Sequence, residues 1–300
     1  MNSHALSVKA KPFSQKPKGE NRLLAAWRKS AGVIPLVLFC LAFELIPLAL
    51  LIYGSLVTKT GLGIGNFVAV LQNRLYRRSF TNSIELSLLT ATIGTLIGGI
   101  MGYLVFTSGE KVRNFMVSLS SVTANFAGIP LAFAFVVTLG LNGFLTLSLK
   151  NSGYNIYDMG FTLYSFTGLA IVYSYFQLPL MILLIVPSFR GLRPAWVEAA
   201  SSLGASRAQY WLKVGLPVMF PAIASTFFLL VANALGAYAT AFGLSSTLNL
   251  ITIQIGFLIS GDTSLEPGLA SALGMILILL MSFLIAGYQI LGRRAERWLS

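Results

Sequence analysis

Six stretches of this chain, at 33–56, 84–107, 115–140, 161–186, 219–241 and 269–291, run almost free of charge. Each is long enough for the ~20 consecutive apolar residues that a helix needs to cross a bilayer core. The apolar residues fill these blocks instead of recurring on one face. With 56% of the 300 residues hydrophobic and 10% charged, too few charges remain to clothe a water-facing globule. The pattern predicts an all-α polytopic membrane protein of six transmembrane helices. The lone cysteine, Cys40, lies within the first block and has no partner for an intrachain disulfide.

The placement of basic residues sets the orientation. Six spans put both termini on one side. With the N-terminus inside, the inner segments carry Lys9, Lys11, Lys16, Lys18, Arg22, Arg28, Lys29, Lys111, Arg113, Arg190, Arg193, Arg207, Lys213, Arg293, Arg294 and Arg297. The outer segments carry Lys59, Arg74, Arg77, Arg78 and Lys150, five of the 21 Lys and Arg, together with Asp262 and Glu266. The excess inside predicts cytoplasmic termini. It also accounts for the net charge of +12 without nucleic acid as a partner. Residues 1–29 read as a disordered basic cytoplasmic tail without a signal-peptide cleavage pattern, and 30–300 as the six-span domain. The cluster Arg74, Arg77 and Arg78 runs against the rule. It sits in "NFVAVLQNRLYRRSF" (66–80), whose apolar and basic positions fall at near-helical spacing. That stretch and the short apolar "NLITIQIGFLI" (249–259) are read either as interfacial segments or as loops packed on helix ends.

Between spans 4 and 5 lies the longest inner segment, 188–218. Pro194 suits a first helical position, and a helix over 194–203 follows. Gly204 is a natural left-handed stop. Ser206 with Gln209 three residues on fits a capping box that opens a second helix, expected to end at Leu216-Pro217. The segment is thus a helix–turn–helix. From physics alone it either connects two spans or serves as a docking element.

The residues "EAASSLGASRAQYWLKVGLP" (198–217) resemble the EAA loop of permease subunits of ABC importers. Glu198, Ala199, Ala200, Gly204, Leu216 and Pro217 match that pattern position by position, with Val214 where isoleucine is usual. Ser201 and Ser202 stand where the family often has an acid. Similarity continues through 79–106, 128–146 and 268–280, so it covers about 66–291. The resemblance implies a binding-protein-dependent importer of the bacterial inner membrane. The expected partners are two copies of a separate ABC ATPase that docks on the loop, a second permease of different sequence, and an external solute-binding protein. The polyamine, iron, phosphonate and opine group is the most similar branch, with spermidine or putrescine as the first expectation for the substrate.

The chain is not expected to be an enzyme. It has no Gly-x-x-x-x-Gly-Lys-Ser/Thr loop to cradle a triphosphate. Its one histidine, His4, lies in the tail, which leaves no metal or His-based triad for the core. ATP and Mg are therefore expected on the ATPase subunit, with no cofactor on this chain. A gradient-driven secondary transporter, the rival reading, predicts paired ionisable groups at mid-membrane, and only Glu44 lies that deep. A non-transporting membrane scaffold is the other rival.

Within the spans, Gly94, Gly98 and Gly102 form one small-residue stripe, and Ala232, Gly236 and Thr240 a second. Pro130 is expected to kink span 3. Glu44, Asn125, Phe126, Tyr173, Gln177, Asn233 and Tyr238 are candidates either to line a solute path or to hydrogen-bond between helices.

Overall fold

The computed structural model describes residues 33–59, 61–244, 248–260 and 265–299. The basic tail 1–29 with His4, and Asp262, lie outside the described residues. Among the described residues, six helical stretches are long and apolar enough to cross a membrane: Ile34–Leu56, Arg74–Thr107, Ile129–Asn151, Phe166–Phe189, Arg207–Gly236 and Pro267–Arg293, spans 1 to 6 below. The chain divides into two units at Leu50 and Leu51. The described part of the first is helical, with a π-helical turn at Leu41–Leu45 that contains Glu44.

In the second unit, span 2 packs along span 4, and span 5 lies against spans 2, 4 and 6. The glycine stripe explains the first contact. Gly94, Gly98 and Gly102 are buried, and their backbones meet Gln177, Met181 and Ile185 of span 4. Without side chains on one helix, the two backbones approach closely and gain dispersion contacts that lipid tails cannot supply. Two apolar clusters result. One is centred on Met181, Leu230 and Leu273, and the other on Tyr173, Leu131 and Ile253.

Three expectations are corrected. Pro130 kinks no continuous span 3. One helix, Glu110–Asn125, ends, and a new one, Ile129–Leu139, begins with Pro130 in its first turn. Gly128 between them has φ +75°, which side-chain-bearing residues rarely adopt, while a first-turn proline forfeits no helical bond. The 115–140 block is therefore two helices. Nor do Ala232, Gly236 and Thr240 form one stripe, because the span 5 helix ends at Gly236 and a separate helix, Tyr238–Leu244, carries Thr240.

The third correction concerns Leu216-Pro217, which does not end the second loop helix. Arg207–Tyr210, a π-helical turn at Trp211–Gly215 and Leu216–Gly236 follow without interruption. A π turn carries an extra residue, which displaces the carbonyl that a proline ring one turn on would strike. Both stretches read as interfacial or loop are helical: Gly65–Gln72 and the start of span 2 in one, Ile251–Ser260 in the other.

Candidate functional site

The loop between spans 4 and 5 forms as its local chemistry dictates. A helix runs from Pro194 to Ser202. It closes with the Gly204 N–H donating to the Ser201 carbonyl (3.0 Å) and the Ala205 N–H to the Ala200 carbonyl (3.0 Å). That pair of bonds is a Schellman stop, and it needs the left-handed φ of +73° at Gly204. Ser206 then caps reciprocally: its hydroxyl accepts from the Gln209 N–H (3.2 Å), and Gln209 Oε1 accepts from the Ser206 N–H (2.8 Å).

A groove of about 710 Å³ opens between the two helices, lined by Ala199, Ala200, Gly204, Tyr210, Val214 and neighbours. Small residues keep it open. Leu203 at its tip is 88% exposed. Glu198 is exposed on the same helix but does not line the groove, and its backbone carbonyl accepts from the Ser202 hydroxyl (3.0 Å). Exposed apolar side chains around a small-residue groove leave room for a surface from another chain.

The far helix ties this loop to the bundle. Trp211 meets the Tyr103 ring of span 2 edge-on at 4.9 Å, and Tyr103 and Phe106 meet Phe189 of span 4 at 5.7 and 5.6 Å. Such pairs hold relative orientation as well as area. Gly215 makes room for the indole, since a Cβ there would lie 2.5 Å from Trp211 Cε3. Sequence reasoning missed this clasp. The only signal was an aromatic residue four positions before a glycine.

A second feature sits where the helices break. The Ala237 carbonyl, released where span 5 ends, accepts from Tyr173 Oη at 2.5 Å. The Gly128 N–H, released where span 3 begins, donates to Thr240 Oγ1 at 2.8 Å. Broken backbone at membrane depth is tolerated only when protein or a water-filled cavity satisfies it, and here each break borrows from a neighbour. Beside them lies a cavity of about 360 Å³ lined by Ala127, Gly128, Asn233, Gly236, Tyr238 and Met281, among others.

The path candidates thus separate. Asn233 and Tyr238 line the cavity. Asn125 and Phe126 are exposed at the first break, where Asn125 Nδ2 donates to the Ser121 carbonyl (2.8 Å). Tyr173 and Gln177 are buried and bond between helices, Gln177 through its Nε2 to the Leu230 carbonyl (2.9 Å). Glu44 belongs to the first unit.

Comparison with known proteins places these features in a family. The profile of the family described as "binding-protein-dependent transport system inner membrane component" matches residues 94–297. A ferric transport system permease protein of Actinobacillus pleuropneumoniae is 28% identical over 73% of this chain and 31% of its own length. A spermidine/putrescine transport system permease protein of Haemophilus influenzae is 26% identical over 85% of this chain and 92% of its own. A sulfate transport system permease protein of Salmonella typhimurium is 28% identical over 51% and 55%. The chain spans about a third of the length of the ferric permeases it matches. A chain of a bacterial alginate ABC transporter, solved with an alginate pentasaccharide-bound periplasmic protein, shares the fold with TM-score 0.69. That match covers 91% of this chain and 98% of the other at 18% identity.

Proposed function

Because this chain belongs to the binding-protein-dependent transport inner membrane components, the permeases of ABC importers, we propose that it forms one wall of a solute path and drives that path through its loop at 188–218. ATP is bound and hydrolysed, with Mg, on two copies of a separate ATPase subunit. A second permease of different sequence completes the path, and an external binding protein delivers solute. Both termini and the loop face the cytoplasm, as the excess of basic residues in those segments requires.

One observation carries the coupling role. Ala199, Ala200, Gly204 and Val214, four positions of the motif, line a single open groove whose second wall continues unbroken into span 5. A surface seated in that groove pushes on a membrane-spanning helix with no flexible linker between. Glu198, exposed on the outer side of the first helix, supplies a charge for the docked surface.

The proposed substrate is a polyamine. The spermidine/putrescine relative supports it, being matched over nearly its whole length, as does Glu44, an acid within a span that suits a cation. Iron is the second reading, favoured by the ferric permeases, which match at slightly higher identity.

The test is a pull-down of the ATPase subunit, with substrate-stimulated hydrolysis and uptake measured in vesicles holding the whole complex. Gly204→Val and Glu198→Ala are expected to integrate into the membrane normally and to lose ATPase binding or uncouple hydrolysis from uptake. Wild-type binding and stimulation in both variants would reduce the loop to a connector. Competition between spermidine and a ferric chelate for uptake decides the substrate.

A further inference from the structure

The short helix Gly65–Gln72 and the first turn of span 2 hold an exposed surface apart from the groove and the cavity described above. Ile64, Val68, Leu71 and Leu75 are 67%, 40%, 61% and 48% exposed; the first three recur at intervals of four and three along one side of the short helix, and Leu75 lies in the first turn of span 2, beyond the extended residue Asn73. Arg74, Arg77 and Arg78, also exposed, share one face of the following turn. Among the described residues none of these arginines is paired with a carboxylate. They stand at a helix N-terminus, where the helix dipole disfavours cations, and on the side that the positive-inside rule leaves poor in them.

The segment is nonetheless held firmly. Val70 is buried. Asn66 Nδ2 donates to the Val57 and Ser55 carbonyls (2.7 and 3.1 Å). Asn73 caps span 2 by accepting from the Leu75 N–H (2.9 Å), and Asn249 Nδ2 donates to the Leu75 carbonyl (3.0 Å). Three exposed arginines on one face of a helix N-terminus offer a place for anions. An exposed apolar stripe next to them selects which anions, because a lipid surface offers phosphates and acyl chains at adjacent depths.

We propose that residues 64–78 are a membrane-surface anchor. Arg74, Arg77 and Arg78 take the phosphates of anionic phospholipid, and Ile64, Val68, Leu71 and Leu75 seat among the upper acyl carbons. The anchor fixes the depth at which span 2 enters the bilayer. It rests on the membrane-permease reading, and carbonate-resistant membrane integration tests that reading separately.

The full chain, purified in a neutral detergent, is titrated with phosphatidylglycerol, phosphatidylcholine or free glycerol phosphate, and binding is read by thermal shift and by lipid retained in native mass spectra. Each arginine near an anionic lipid surface contributes about fivefold in affinity, so R74Q/R77Q/R78Q is expected to weaken phosphatidylglycerol binding on the order of a hundredfold. Phosphatidylcholine binding is expected to stay unchanged, and glycerol phosphate to compete poorly. Equal phosphatidylglycerol binding by wild type and variant overturns the proposal. Competition by glycerol phosphate as strong as that of the lipid also overturns it, as does a variant that loses only its docking to the binding protein. Should the triple variant fail to integrate, the three single Arg→Gln variants carry the same test at about fivefold each.

Discussion

Gly98 and Gly99 are neighbours on span 2 with opposite surroundings, and this makes the contact between spans 2 and 4 testable by one methyl group. A Cβ on Gly98 would lie 2.8 Å from Met181 Cβ and 2.9 Å from the backbone oxygen of Leu178. The oxygen belongs to the span 4 backbone and cannot rotate aside, so the helices must part. A Cβ on Gly99 would meet only Met181 Cε, at 3.6 Å, an ordinary contact at a flexible tip. Both alanines gain the same helix propensity over glycine, about 1 kcal/mol. The difference between the variants therefore isolates the clash, and overpacking of this kind costs about 1–3 kcal/mol. Gly99→Ala should be neutral or stabilising by up to about 1 kcal/mol, and Gly98→Ala should fall below it by about 1–3 kcal/mol. The assay is reversible unfolding in mixed micelles, followed by circular dichroism at a fixed detergent ratio. If the two variants unfold within about 0.5 kcal/mol of each other, the spread of ordinary surface changes, the close approach at Gly98 is wrong.

Gly215→Ala should drive Trp211 off Tyr103 and leave ATPase binding intact, lowering solute moved per ATP by a coupling loss of about 0.5–2 kcal/mol; reconstituted vesicles assayed for both quantities check it, and unchanged coupling would show the clasp to be passive. Thr240→Val strips the Gly128 N–H of its acceptor and Tyr173→Phe strips the Ala237 carbonyl of its donor, so each should destabilise by about 1–3 kcal/mol. Micelle unfolding measures both, and a change below about 0.5 kcal/mol in both would contradict the bonding at the breaks. Glu44→Gln keeps shape and removes charge, so spermidine uptake by the full complex should fall; undiminished uptake would leave Glu44 a structural residue and weaken the polyamine reading.

What is legible in the sequence alone is local or one-dimensional. Apolar run length gave the six spans. The turn at Gly204 and the cap at Ser206–Gln209 were readable because every bond in them joins residues at most five apart. Chain ends of helices were not. Pro217 is a stop signal in isolation, and only the widened turn at Trp211–Gly215 lets the helix continue. The break at Ala237 has no proline beside it and follows a helix-ending glycine that looked like part of a packing stripe. It persists through Tyr173, 64 residues earlier, which supplies the missing hydrogen bond. Among the path candidates, residue type did not separate Tyr173 and Gln177, which bond inside the bundle, from Asn233 and Tyr238, which line a cavity. Only the relative rotation of the helices distinguishes them, and tertiary packing sets that rotation.

The unbroken run from Arg207 to Gly236 has a mechanical meaning. Its 30 residues amount to a rod of about 45 Å, so each degree of tilt about one end sweeps the other through about 0.8 Å. The Gly236 end adjoins the two hydrogen bonds at Ala237 and Gly128, and the Arg207 end is held to span 2 by the Trp211–Tyr103 contact. A helix that stopped at Pro217 would put a joint between those two holds. Under the proposed coupling, a displacement of a few ångströms at the loop would reach the Gly236 end as a change of angle, beside the cavity lined by Asn233 and Tyr238.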